Sequence, residues 1–106
     1  MAVLLCLGLS LMADDKKKFF EETKAMAEKG DRVAQFNLGV MYYNGKGVLQ
    51  DYATAYAWAN IAQANGEKNA QKMKSAIQTF MTPEQIAEGQ KLSREMVKKN
   101  PKLIKE

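Results

Sequence analysis

Side chains that commonly carry out catalysis or bind metals are scarce in this 106-residue sequence. It contains no histidine, so the commonest general base and the usual imidazole metal ligand are both missing. The single cysteine is Cys6, so residues 14–106 hold no thiol for a nucleophile, a disulfide or a metal site. The composition therefore argues against an enzyme and predicts neither a metal nor a cofactor.

The carboxylates are not spaced for acid–base chemistry or metal binding. Two pairs are adjacent along the chain, Asp14–Asp15 and Glu21–Glu22, and adjacent side chains diverge on a helix. Asp51 follows a loop that holds Gly45 and Gly47, which has some likeness to a phosphate-binding loop. The Lys-Ser/Thr ending and the preceding strand of such a loop are missing, so we predict no phosphate site.

The charge balance is mildly basic, with 16 Lys and Arg against 12 Asp and Glu and a net charge of +4. A short lysine-rich end is commonly a solvated tail, and a nucleic-acid site usually adds arginine clusters or stacking aromatic residues. We therefore expect residues 101–106 to be a basic tail. A basic surface that binds nucleic acid, an anionic membrane or a cell-wall polymer is the alternative interpretation. The lysine-rich end contains four lysines, two before the predicted tail and two within it: Lys98, Lys99, Lys102 and Lys105.

An uncharged run of eleven residues, Ala2–Met12, opens the sequence. A membrane-spanning helix needs about 18 or more such residues, so we expect no stable membrane span. The run suits the apolar part of a secretory signal with Ala13 at the cleavage point, although no Lys or Arg precedes it. We therefore predict a signal peptide over residues 1–13 and a periplasmic or secreted bacterial protein; a buried amino-terminal helix is the alternative.

Helix is the only regular structure that the remaining sequence favours. Ala, Lys, Glu, Gln, Leu and Met dominate, and no stretch alternates apolar and polar residues with a period of two. Glycines that stop helices and residues that cap them divide the chain into five segments. The predicted helices cover about 15–29, a second capped by Asp31 and ending at Asn44, a third capped by Asp51 and ending at Asn65, 67–81, and a fifth capped by Thr82 and ending before Asn100.

Two six-residue stretches repeat at a spacing of 36 residues. Residues 30–35 read GDRVAQ and residues 66–71 read GEKNAQ. Periods of this length with helix–turn–helix content are typical of stacked helical hairpins.

Between these stretches the sequence holds Leu38-Gly39, Tyr42, Gly45-x-Gly47-Val48 and, later, Trp58 and Ala62. This pattern resembles the Sel1-like repeat, a relative of the tetratricopeptide repeat. The resemblance implies an all-α fold, a short superhelix of antiparallel helix pairs with flanking capping helices. Gly39 and Ala62 would let two helices approach closely, and Gly45 and Gly47 would allow positive φ in the loop. The signature residues are Ala34, Leu38, Gly39, Tyr42, Gly45, Gly47, Val48, Asp51, Ala55, Trp58, Ala62 and Gly66.

The second unit departs from this signature. Its Leu-Gly pair is replaced by Lys74 and Ser75, while Met73, Ile77 and Phe80 still form an apolar stripe. One apolar face opposite a polar face is what a terminal capping hairpin requires. We therefore predict one domain over 14–100, with its best repeat at 30–66 and a degenerate repeat at 66–100.

In the families that this repeat resembles, the first helix of each hairpin lines a concave groove that holds peptides or partner domains. The resemblance therefore implies a module that binds another protein or peptide, and we expect it to be a monomer that binds no nucleic acid. The alternative is that neighbouring helices cover the same stripe. The groove residues implied by the alignment are Val33, Phe36, Val40 and Tyr43, continued by Asn69, Lys72 and Thr79.

Overall fold

The computed structural model describes the backbone of residues 2–105 and the side chains of residues 15–105. This part of the chain holds helices and turns and no strand, so the all-α prediction is confirmed. The elements are α1 (Ala2–Glu28), α2 (Arg32–Asn44), α3 (Tyr52–Ala64), α4 (Ala70–Gln78), α5 (Pro83–Lys99) and a 3-10 turn (Pro101–Leu103).

Helix α1 is longer than predicted, because it begins at Ala2 and not near Asp15. The run before Asp15 contains mostly good helix formers and no proline, and the helix continues through its one glycine, Gly8. The side chains of the predicted signal peptide lie outside the described residues, and its role stays a prediction. In the part of the chain that the structure describes, no helix has the length and apolar character needed to cross a membrane.

Short-range hydrogen bonds set the helix ends where the sequence predicts caps. The Asp31 carboxylate accepts from the Ala34 N–H at 3.0 Å, and the Asp51 carboxylate accepts from the Thr54 N–H at 3.1 Å. Gly45 ends α2 in the left-handed conformation with φ 70°. The capping box of α5 is also present, since the Thr82 N–H donates to the Gln85 side chain at 2.9 Å and the Gln85 N–H donates to Thr82 Oγ1 at 3.2 Å.

Helix α3 is the centre of the fold and packs against α2, α4 and α5, while α1 packs against α2. Its small side chains bring the neighbouring helices close, because Ala55, Ala57, Ala59 and Ala62 are completely buried. Tyr42 of α2 contacts both halves of the core, so its ring packs between helices.

Two glycines permit the closest helix contacts. A Cβ on Gly39 would lie 3.3 Å from the Ala55 carbonyl oxygen and 2.8 Å from Met73 Cε, so the prediction of close approach at Gly39 is confirmed. A Cβ on Gly89 of α5 would lie 2.8 Å from Cδ1 of Tyr56, which is buried. The sequence analysis missed Gly89, since it lies outside the repeat signature.

The loop between α2 and α3 packs on α1. A Cβ on Gly47 would lie 2.7 Å from the Lys16 carbonyl oxygen and 3.0 Å from Phe20 Cβ, and its φ is +72°. Only glycine fits both this space and this backbone conformation. Val48 beside it is half-buried against the core and holds the loop on the helices.

The carboxyl-terminal segment differs from the solvated tail that the sequence analysis expected. Lys102 and Lys105 are exposed, but Leu103 between them is only 3% exposed and packs in the core with Leu38 and Trp58. The 3-10 turn of Pro101–Leu103 contacts both α1 and α5. Burial of one apolar side chain against two helices therefore makes this segment part of the fold.

Candidate functional site

The apolar stripe predicted on α2 is partly open. Its four residues lie on the side of the helix opposite the completely buried Leu38, given about 100° of rotation per residue. Val33 is 53% exposed, and Phe36, Val40 and Tyr43 are half-buried. The stripe is therefore neither an open groove floor nor sealed core.

The polar continuation predicted on α4 is exposed. Asn69 immediately precedes this helix, Lys72 lies in its first turn and Thr79 follows its last residue. Helix α4 lies beside α2, as the contact between Met73 of α4 and Gly39 of α2 shows: a Cβ on Gly39 would lie 2.8 Å from Met73 Cε. The polar residues therefore lie on or beside a helix that contacts α2, and their contact with a partner stays a prediction.

Three aromatic rings meet at one end of this surface, and we name Tyr43, Tyr52 and Phe80 the aromatic cluster. The centroids of Tyr52 and Phe80 are 5.6 Å apart with the planes 19° from parallel. Tyr43 lies 5.7 Å from Tyr52 and 6.1 Å from Phe80. Phe80 is 57% exposed, whereas both tyrosines are half-buried. The cluster is therefore an apolar surface in contact with solvent.

Sequence reasoning placed Phe80 on the buried stripe of the fourth helix, and that placement is wrong. Helix α4 ends at Gln78, so Phe80 lies in the turn that follows and points outward, while Ile77 is completely buried. The chain after Gln78 continues in tighter turns, since the Phe80 N–H donates to the Ile77 carbonyl oxygen at 3.0 Å and the Met81 N–H donates to the Gln78 carbonyl oxygen at 3.1 Å.

A groove of about 400 Å³ lies between α3 and α5, and sequence reasoning did not find it. We name it the basic groove, since Arg94 and Lys98 line it and no acidic residue does. Its other lining residues are Asn60, Ile61, Ala64, Ser93, Val97 and Ile104. The groove forms because α3 packs against α5, and these two helices are not consecutive in the sequence.

The most completely buried polar side chain belongs to Gln35. Its amide donates to the carbonyl oxygens of Ala27 at 3.1 Å and Leu103 at 2.9 Å, and its side-chain oxygen accepts from Asn65 at 2.7 Å. Both ends of the amide therefore have partners. Gln35 holds four parts of the chain together and has no free group for chemistry.

No group of three or more potential metal-ligating side chains occurs in the described part of the chain. Burial raises the pKa of Tyr42 above its ordinary value of 10.0, and the carboxylates of Asp51, Glu21 and Glu28 raise it further. A more weakly acidic phenol is neutral at physiological pH. The features that remain for function are the exposed aromatic and basic surfaces.

Comparisons with known proteins agree with the helical architecture. Residues 32–66 match the family model of the Sel1 repeat. A crystal structure of a protective antigen present in uropathogenic Escherichia coli strains, displaying an SLR fold, superposes with a TM-score of 0.76. It is 26% identical over 83% of this chain, which spans about a fifth of that protein's length (20%). No curated protein matches the chain.

The matched residues contain the whole signature that the sequence analysis assigned, from Ala34 to Gly66. Sel1 repeats generally mediate protein–protein interaction, and proteins built from them are typically non-enzymatic scaffolds. The matched repeat at 32–66, the five packed helices and the likeness to an SLR fold together support a Sel1-like repeat protein.

Proposed function

We propose that this protein binds a segment of a partner protein along α2 and α4, with the aromatic cluster as the anchor. The observation that carries the proposal is the exposure of Phe80, 57%, while its ring is stacked on Tyr52. Exposed apolar patches commonly mark interfaces, and aromatic residues are enriched among the residues that dominate binding energy.

The apolar stripe extends this anchor along the surface. From Val33 to Tyr43 the helix rises by about 15 Å, the length of roughly five residues of extended peptide. Phe36 and Val40 lie between them and are half-buried, so a bound segment would complete their burial. The rings of the cluster already hold one another in place, which lowers the entropy lost on binding.

We also propose that the protein is exported from a bacterial cell and acts in the periplasm or outside it, as a non-enzymatic module. The uncharged run Ala2–Met12 before Ala13 supports export. Fractionation of the native host with amino-terminal sequencing tests this, and the expected mature protein begins near Asp14. Intact chain recovered from the cytosol would contradict export without touching the binding proposal.

Partner binding is tested with two phenylalanines of equal exposure. Phe80 and Phe19 are both 57% exposed, but Phe19 lies on α1 and its ring is not part of the aromatic cluster. Partners captured from an extract of the extracytoplasmic fraction are identified by mass spectrometry and then titrated by calorimetry. Phe80→Ala should weaken binding by roughly tenfold or more at an unchanged melting temperature, and Tyr43→Ala should weaken binding per folded molecule by a similar factor, whereas Phe19→Ala should leave the affinity unchanged.

The Val40→Ser variant tests whether the apolar stripe on α2 binds a partner or belongs to the core of the fold. Weaker binding with an unchanged melting temperature agrees with a partner on α2. A fall of many degrees in melting temperature with unchanged affinity per folded molecule would place the stripe in the core and move the interface elsewhere. Equal losses of binding in Phe80→Ala and Phe19→Ala would contradict the aromatic cluster as the anchor.

A further inference from the structure

The basic groove is distinct from the aromatic cluster. Asn60 and Ile61 of α3 line the groove, whereas Tyr52 of the cluster begins the same helix eight residues earlier, about 12 Å along the axis. The groove is open to solvent between two packed helices. A ligand there would not compete for the surface of α2 and α4.

The centre of the groove is apolar. Ile61 forms its floor and is almost completely buried, and Val97 and Ile104 are half-buried at its sides. Ala64 is exposed beside them and leaves space where a larger side chain would fill the groove. Asn60 Nδ2 lies 3.4 Å from Ser93 Oγ. This floor can accept one or two apolar side chains.

The rim carries positive charge without a neutralising acid. Arg94 and Lys98 are one turn apart on α5, both exposed, and neither forms a salt bridge within the described residues. Glu95 lies 4.0 Å from Lys91 of the same helix. Further lysines follow in the chain, but the Lys105 side chain lies beside Gly30, outside the groove, so the charge of the groove rests on Arg94 and Lys98. The potential at the groove is therefore positive and favours an acidic ligand.

We infer that the basic groove docks an acidic amphipathic helix of a partner protein, with apolar side chains on Ile61 and carboxylates on Arg94 and Lys98. A groove between two helices suits the apolar face of a third helix, read at positions i and i+4. The charge complementarity decides the kind of segment, because an apolar floor alone would accept many sequences. A nucleic acid would use the cations and leave the floor empty.

The test uses the full chain and a fluorescent helical peptide with Leu at i and i+4 and Glu on the flanking positions. Two matched peptides carry Ser for Leu or Gln for Glu. Fluorescence anisotropy gives the affinities, and nuclear magnetic resonance locates the site through the methyl signals of Ile61, Val97 and Ile104. The Leu–Glu peptide should bind at least roughly tenfold more tightly than either matched peptide and shift those signals.

The variants separate groove charge from net charge. The double variant Arg94→Glu, Lys98→Glu should bind the Leu–Glu peptide with an affinity lower by roughly tenfold or more. The control, Lys17→Glu with Lys18→Glu, makes the same change in net charge on exposed positions of α1 and should leave the affinity unchanged. Ala64→Trp fills the groove from an exposed position and should also abolish binding, with circular dichroism confirming its fold.

Three results would overturn the inference. One is no binding of the Leu–Glu peptide at about 1 mM. Another is equal binding of the Ser and Leu peptides, which would mean that charge alone attracts the ligand. The third is displacement of the peptide by polyuridylate or by anionic phospholipid vesicles through Arg94 and Lys98, which would assign the groove to nucleic acid or a membrane. None of these touches the aromatic cluster, so the proposed function would remain.

Discussion

Gln35 and Asn65, thirty positions apart, are joined by a 2.7 Å hydrogen bond between their side-chain amides. Both also donate to the carbonyl oxygen of Leu103, at 2.9 Å and 2.7 Å. The Lys105 N–H donates in turn to the Asn65 side chain at 2.8 Å. This network ties the start of α2 and the end of α3 to the carboxyl-terminal segment.

Gln35→Leu should lower the free energy of unfolding by about 2–4 kcal/mol. The substitution removes two donated hydrogen bonds and leaves the buried Ala27 carbonyl without this partner. Urea denaturation followed by circular dichroism measures the change. Gln90→Leu is the control, because Gln90 is exposed and makes one long contact of 3.4 Å to the Tyr56 hydroxyl. Equal midpoints for the wild type and Gln35→Leu would show that the network does not hold the fold.

Leu103→Ala should cost about 2–4 kcal/mol of stability, because Leu103 fills the core at 3% exposure and its truncation leaves a cavity. Lys102→Ala and Lys105→Ala change exposed side chains and should stay within about 0.5 kcal/mol. Thermal denaturation of the three variants compares them directly. If Leu103→Ala leaves the melting temperature unchanged, the carboxyl-terminal segment is a solvated tail, as its lysines indicated.

Gly39→Leu should destabilise the protein by about 2–4 kcal/mol through overpacking. The new side chain would meet the Ala55 carbonyl oxygen, 3.3 Å from its Cβ, and backbone cannot move aside easily. Gly39→Ala should cost much less, since Met73 Cε at 2.8 Å is the end of a flexible side chain and alanine favours helix. Ala25→Leu is the control, because it introduces the same large side chain at an exposed position of a helix. An unchanged denaturation midpoint for Gly39→Leu would contradict the close contact.

The stability of the fold should fall as the pH rises above about 10. Burial, then Asp51, Glu21 and Glu28, raise the pKa of Tyr42 in the folded state, so the unfolded chain loses this proton first. Between the unfolded and the folded pKa the unfolded state is therefore favoured progressively. Tyr42→Phe cannot ionise and should show a shallower fall, measured by urea midpoints from about pH 9 to pH 11. Parallel falls for both proteins would mean that Tyr42 is not responsible.

The sequence by itself determined the features that depend on interactions between residues close together in the chain. The caps at Asp31, Asp51 and Thr82 bond to residues three positions later, and Gly45 ends a helix by its own backbone freedom, so each can be read from neighbouring letters. The repeat signature likewise marked Gly39 as a close contact, because a spacing of residue types encodes one helix pair. These signals were sufficient for α2, α3 and α5, but not for the start of α1 or the end of α4.

Long-range packing decided the surfaces. The bond from Gln35 to Leu103 spans 68 positions, and the basic groove exists only because α5 packs on α3 through Gly89. Whether Phe80 is exposed depends on where α4 ends relative to Tyr52, which a periodic pattern along one helix does not encode. Burial is a property of all neighbours in space, so a lysine-rich end could contain a core leucine, and an apolar stripe could be left half open.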